Sequence, residues 1–136
     1  MMSVETHKNI AASAAGADDF LEYALKHGFG DLHFKVDPET GMKSIIAIHN
    51  TKLGPALGGC RFIQYPDTTT AIYDAMRLAR GMSYKSALAN LPLGGGKSVI
   101  IKPAHAFDRS AYMHRFGEFI HELNGRYVTA LDSGYY

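Results

Sequence analysis

The chain has 136 residues, of which 46% are hydrophobic and 20% charged, with a formal net charge of +1. That length is one domain's worth and suffices for a single buried core, while the near-neutral charge argues against a nucleic-acid or anionic-membrane partner. No apolar run approaches the roughly 20 residues that span a bilayer, and the lone Cys60 rules out an internal disulfide and fits a reducing compartment.

Residues 1–16 are polar and small and are expected to form a flexible N-terminal extension, with the folded domain over 17–136. Ala12, Ser13 and Ala14 imitate a signal-peptidase site, but Glu5, Thr6, His7, Lys8 and Asn9 stand where an apolar stretch is required, so the chain is expected to be cytoplasmic. Asp18 or Asp19 caps a helix to about Lys26, ended by Gly28. Strands over 33–36 and 43–49 follow, joined by a turn at Asp37, Pro38, Glu39, Thr40 and Gly41. Residues 53–59 read as a Gly/Pro loop before a third strand over 61–65. A long helix opens at Thr69 and runs to about Asn90, with Ile72, Met76, Ala79 and Met82 at helical spacing. Gly81 within it suggests close packing or a bend. A strand over 98–102 comes next. Asp108 then caps a helix with Tyr112, Met113, Phe116, Ile120 and Leu123 on its apolar stripe, stopped by Gly125, and a last strand covers 126–131. This order predicts an α/β domain whose mixed, partly parallel sheet is flanked by helices. The last strand runs into Asp132, Ser133 and Gly134 with no crossover helix beyond, so the domain is expected to be truncated at its C-terminal end.

The chemistry concentrates on Lys85, Lys97 and Asp132, each at an element end beside glycines. Gly96, Lys97 and Ser98 reproduce the end of a phosphate-binding loop, G-x-x-x-x-G-K-[ST], but that pattern needs glycine at position 91, where Leu91 stands. The order is also reversed, because a strand rather than a helix follows the lysine. Gly94, Gly95 and Gly96 instead predict a bare backbone surface that a small molecule can approach, with Gly58 and Gly59 offering a second one. A second cation close by destabilises an ammonium, which is how a protein makes an amine into a general base, and Lys85 is the candidate cation beside Lys97. His114, Glu118 and His121 share one helix face at metal-ligand spacing, but that face lies opposite the apolar stripe and reads as solvated, so no metal is expected. Ser98, Ser133 and Cys60 show no histidine partner that would make a hydrolase nucleophile.

Three segments, "GPALGGCRF" (54–62), "ARGMSYKSALANLPLGGGKSVI" (79–100) and "RYVTALDSG" (126–134), resemble the N-terminal substrate-binding and dimerisation domain of the glutamate/leucine/phenylalanine/valine dehydrogenase family, with the leucine and phenylalanine types most similar in motif. The resemblance runs from about Phe20 to Gly134. It implies reversible oxidative deamination of an L-amino acid to the 2-oxo acid and ammonia, with a nicotinamide cofactor such as NAD. The family's carboxylate-gripping lysine falls on Lys85, its catalytic base on Lys97, and the aspartate that exchanges protons with the substrate nitrogen on Asp132. The Gly58 and Gly59 backbone matches a segment near the substrate, and Met82 and Ala130 match positions beside the pocket. The family's aspartate motif commonly reads E-D-V-G-T, whereas this chain has Leu131-Asp132-Ser133-Gly134-Tyr135.

Glutamate-specific members carry lysine at the position of Leu57. Without it a buried substrate carboxylate has no counter-charge, so the resemblance implies an apolar substrate: leucine, valine, phenylalanine or tryptophan. No G-x-G-x-x-G fingerprint occurs in the chain, so the cofactor is expected to be bound mainly by a C-terminal Rossmann domain absent here. The expected partners are the amino acid, its 2-oxo acid and further copies of the chain in a dimer or larger homo-oligomer. The alternative is a non-catalytic module of the same fold, acting in assembly or small-molecule binding.

Overall fold

A computed structural model describes residues 19–130; the expected N-terminal extension and Asp132 lie outside them. Helix α1 (Phe20–Lys26) starts at Asp19, whose carboxylate accepts from the amides of Leu21 and Glu22, and ends at Gly28, at φ +75°. Helix α2 (Thr68–Leu88) is capped by Asp67 on the amide of Thr70, and α3 (Arg109–Glu122) by Asp108 on that of Ala111. Five strands, β1 (Asp31–Asp37), β2 (Met42–Ile48), β3 (Ala56–Ile63), β4 (Gly94–Ile101) and β5 (Tyr127–Ala130), form one sheet in the order β1-β2-β4-β3-β5. The β1–β2 and β2–β4 pairs are antiparallel, and β3 runs parallel to both β4 and β5. The sheet is therefore mixed and partly parallel, flanked by helices, as its element order implies.

Three strands are longer than periodicity suggests, β1 at both ends and β3 and β4 at their starts. β3 takes in residues 56–60, read from sequence as loop and connection, and β4 begins at the glycine triplet instead of at residue 98. β3 and β4 are interior strands covered on each face, where glycine is admitted because backbones approach closely. Gly81 departs from expectation in the other direction. Open space surrounds its missing Cβ and α2 runs through it, so close packing does not account for this glycine.

Alternation along the strands divides the core. Ile46, Ile48, Cys60, Phe62 and Ile100 meet Tyr112, Phe116 and Phe119 of α3 on one face. On the other, Ile45, Ala47 and Val99 meet Ile72, Ala75, Met76 and Ala79 of α2. The sheet also curls. Asp31 opens one edge strand and Arg126 immediately precedes the other, about 19 Å apart if four strand intervals lay flat. Yet Arg126 donates from both terminal nitrogens to Asp31, at 2.8 and 3.0 Å. Asp31 pairs with Ile48, which faces α3, so the edges close around the α3 side. Lys35 of β1 reaches Glu122 of α3 at 3.4 Å on the same side.

Gly117, inside α3, also has open space at its missing Cβ. Gly117→Ala is expected to stabilise the domain by about 0.5–1 kcal/mol in urea denaturation, because alanine loses less backbone entropy in a helix. Asp37 is buried at the β1–β2 turn. The Thr40 hydroxyl, at 2.6 Å, holds its carboxyl below the usual carboxylate range against the opposing effect of burial, helped by the Thr40 amide and Arg115. A depressed folded value adds stability that is complete above the unfolded value, near ~3.9, and lost as pH falls through the folded one. The stability gap between parent and Asp37→Asn should therefore be constant at neutral pH and close progressively below about pH 4.

Candidate functional site

The register collects most of the sequence-selected residues on three adjacent strands and the helix that covers them. Lys97 pairs with Ala47, and Ala47 lies in the core beneath α2, so the lysine shares that face. Only 7% of Lys97 is exposed, a rare burial for an ammonium-bearing side chain. Leu57 is partly buried and pairs with Gly95 of β4, while Gly58 and Gly59 pair with Thr129 and Ala130 of β5. Met82 and Lys85 stand one helical turn apart on α2, the former partly buried and the latter exposed. Asp132 follows Ala130 by two positions, outside the described residues.

The glycine triplet does not leave the open backbone surface expected from sequence. A Cβ on Gly94 would overlap the Asn50 carbonyl oxygen. One on Gly95 would overlap the Ser83 amide and the Ala79 carbonyl of α2, and one on Gly96 would stand 2.7 Å from the Tyr127 ring. A Cβ on Gly58 would overlap the Gly96 carbonyl. These glycines are consumed by protein packing. They let α2 lie directly on β4 and let β3 approach β4, which is what brings the Lys85 helix against the Lys97 strand. The same packing leaves no glycine cradle for a phosphate.

Several polar groups around this centre carried no sequence signal. His49, 8% exposed at the end of β2, bonds Ser83 Oγ through Nδ1 at 2.7 Å and the His27 carbonyl through Nε2 at 2.8 Å. Its amide donates to the Gly95 carbonyl at 2.9 Å. It thus ties β2, β4, α1 and α2 together beside the glycine strand. Beneath Gly58 and Gly59, Tyr127 and Ser98 form a buried pair of hydroxyls. Both look like ordinary strand residues in sequence, since only the fold shows what their hydroxyls reach.

The polar face of α3 is used differently. His114 pairs with Glu118 at 2.9 Å, and Arg115 takes the other Glu118 oxygen at 2.8 Å. His121 lies along the same exposed face, beside an open depression of about 580 Å³. Among the described residues no three His, Cys, Asp or Glu side chains gather as a metal site would need, and no helix is long and apolar enough to cross a membrane.

The described domain is thus a mixed, curled sheet with a buried lysine on the strand that lies under a lysine-bearing helix. The chain belongs to the Glu/Leu/Phe/Val dehydrogenase family, matching its dimerisation domain over residues 30–135. It is 49% identical over 116 residues to the leucine dehydrogenase of Bacillus subtilis (strain 168), covering 85% of this chain and 32% of that protein. It is 42% identical over 127 residues to the phenylalanine dehydrogenase of Bacillus thermotolerans, covering 93% and 33%. The crystal structure of L-tryptophan dehydrogenase from Nostoc punctiforme superposes with a TM-score of 0.78 at 41% identity, over 82% of this chain and 34% of that one. The chain thus spans about a third of the length of the curated relatives it matches.

Proposed function

We propose that the chain is the substrate-binding domain of an enzyme that oxidatively deaminates an apolar L-amino acid to the 2-oxo acid and ammonia. The observation that carries this reading is the buried Lys97 on the sheet face shared with Leu57 and covered by the helix bearing Met82 and Lys85, in a chain about half identical to a leucine dehydrogenase. An α-amino acid brings a carboxylate, which one fixed ammonium neutralises, and an amine that must lose its proton before hydride leaves Cα. Lys85 grips the carboxylate, Lys97 acts as general base, and Asp132 exchanges protons with the substrate nitrogen. The Gly58 and Gly59 backbone lies along the substrate, with Met82 and Ala130 beside it. NAD supplies the hydride acceptor when bound. The dinucleotide is held mainly by a further, Rossmann-type domain, a reading supported by the lack of a G-x-G-x-x-G fingerprint in this sequence. The domain also joins copies of itself into a homo-oligomer, in the cytoplasm.

Leu57 sets the substrate class. It lies opposite Gly95 on the α2 face of the sheet, where it offers apolar surface to the substrate side chain and no counter-charge to a carboxylate. The test is NADH production by the complete enzyme with L-leucine, L-phenylalanine and L-glutamate, in parent and Leu57→Lys forms. The parent is expected to turn over an apolar amino acid and not glutamate, and Leu57→Lys to raise the glutamate-to-leucine ratio of kcat/KM by at least tenfold, about one ion pair's worth. An unchanged ratio places Leu57 away from the substrate side chain, and no turnover of any amino acid removes the enzymatic reading.

A further inference from the structure

The pairing between β3 and β4 runs through Ala56↔Gly94 and Leu57↔Gly95 and resumes at Cys60↔Ser98, so it is interrupted at Gly58 and Gly59. Two buried hydroxyls fill the interruption. The Tyr127 hydroxyl lies 2.8 Å from the Gly58 carbonyl oxygen and 3.2 Å from that of Gly59. Ser98 Oγ lies 2.9 Å from the Tyr127 oxygen and 3.3 Å from the Gly59 carbonyl. Tyr127 is 2% exposed and Ser98 is fully buried, so water does not compete for these carbonyls.

We propose that Tyr127 is a positioning residue for the amino-acid site: its hydroxyl, supported by Ser98, anchors the Gly58 and Gly59 carbonyls from beneath the sheet. This rests on the proposed function, in which the substrate lies along the Gly58 and Gly59 backbone.

The sides of the sheet make the role one of positioning and not of chemistry. Tyr127 and Ser98 belong with the α3 face, whereas Lys97 shares the face covered by α2. The Tyr127 ring also fills the space against Gly96, the residue before Lys97. One side chain thus touches the backbone of both strands that flank the substrate path, and it stands on the third, β5. Tyr127 donates to the Gly58 carbonyl at 2.8 Å, and Ser98 donates to the Gly59 carbonyl or to the Tyr127 oxygen, so the peptide planes at Gly58 and Gly59 sit against a hydrogen-bonded pair of hydroxyls. A glycine pair has no side chains to restrain its own backbone. Burial pushes the Tyr127 phenol well above its usual value, which keeps it a neutral donor over the working pH range.

Two measurements test the proposal. In the complete enzyme, Tyr127→Phe keeps the ring and removes only the hydroxyl. It is expected to raise KM for the amino acid roughly tenfold, the loss expected for one buried hydrogen bond to the positioned backbone, with KM for NAD and the acidic limb of kcat/KM unchanged. A merely structural defect lowers the amount of active enzyme, and so kcat, with both KM values intact; that result overturns the proposal. Parent enzyme without dehydrogenase activity overturns the functional reading instead. On the present chain, amide hydrogen exchange followed by NMR gives a readout independent of activity. Tyr127→Phe is expected to speed exchange at Gly58, Gly59 and Lys97 roughly tenfold relative to the amides of α3. Uniform acceleration, or none, overturns the anchoring role, and Ser98→Ala should reproduce the pattern more weakly.

Discussion

Lys97→Ala in the complete enzyme is expected to lower kcat by about 10²–10⁴-fold, the range typical of losing a general base. Lys97 is buried on a strand, opposite Ala47 and under α2. Lys85 is exposed on α2, where it can meet a carboxylate arriving from outside. Lys85→Ala is therefore expected to raise KM for the amino acid markedly, since the α-carboxylate loses its ion-pair partner in ground state and transition state alike. Steady-state kinetics decides this, and a Lys97→Ala enzyme with near-normal kcat would move the base to another residue.

Gly95→Ala is expected to be the more damaging change to the fold. The added methyl would overlap the Ser83 amide and the Ala79 carbonyl, both backbone groups in the middle of α2 that cannot rotate aside. The helix must lift from the sheet, and overpacking of this kind costs about 1–3 kcal/mol or more. For a domain of this size that lowers Tm by about 5–20 °C. The displaced helix carries Met82 and Lys85, so substrate affinity should fall together with stability. Gly117→Ala is the control, a glycine in open space where the same methyl stabilises. Thermal unfolding of the two variants side by side checks the argument, and a Gly95→Ala protein as stable as the parent would show that α2 does not rest on β4 through this residue.

Sequence by itself determined much of this protein. Caps at Asp19 and Asp108, the stop signal at Gly28 and the periodicity of α2 and α3 are local properties, decided by hydrogen bonds and dihedral preferences within a few residues. The three motifs carried the family, because their residue types are tied to one arrangement of lysines and glycines. What sequence misplaced were residues whose reason is distant. The triplet at 94–96 reads as a loop with room for a ligand, but it is the start of an interior strand, and its glycines answer to Asn50, to Ala79 and Ser83, and to Tyr127. The closure of the curled sheet by Arg126 on Asp31, 95 residues away, has no local trace either. Nor do the hydroxyls of Tyr127 and Ser98 under Gly58 and Gly59, since a buried hydroxyl acquires its partner only when another strand arrives. Short-range chemistry fixes which elements form and where they begin. Only the packing of those elements, at separations chain order does not encode, decided which glycines are structural and which lysine is buried.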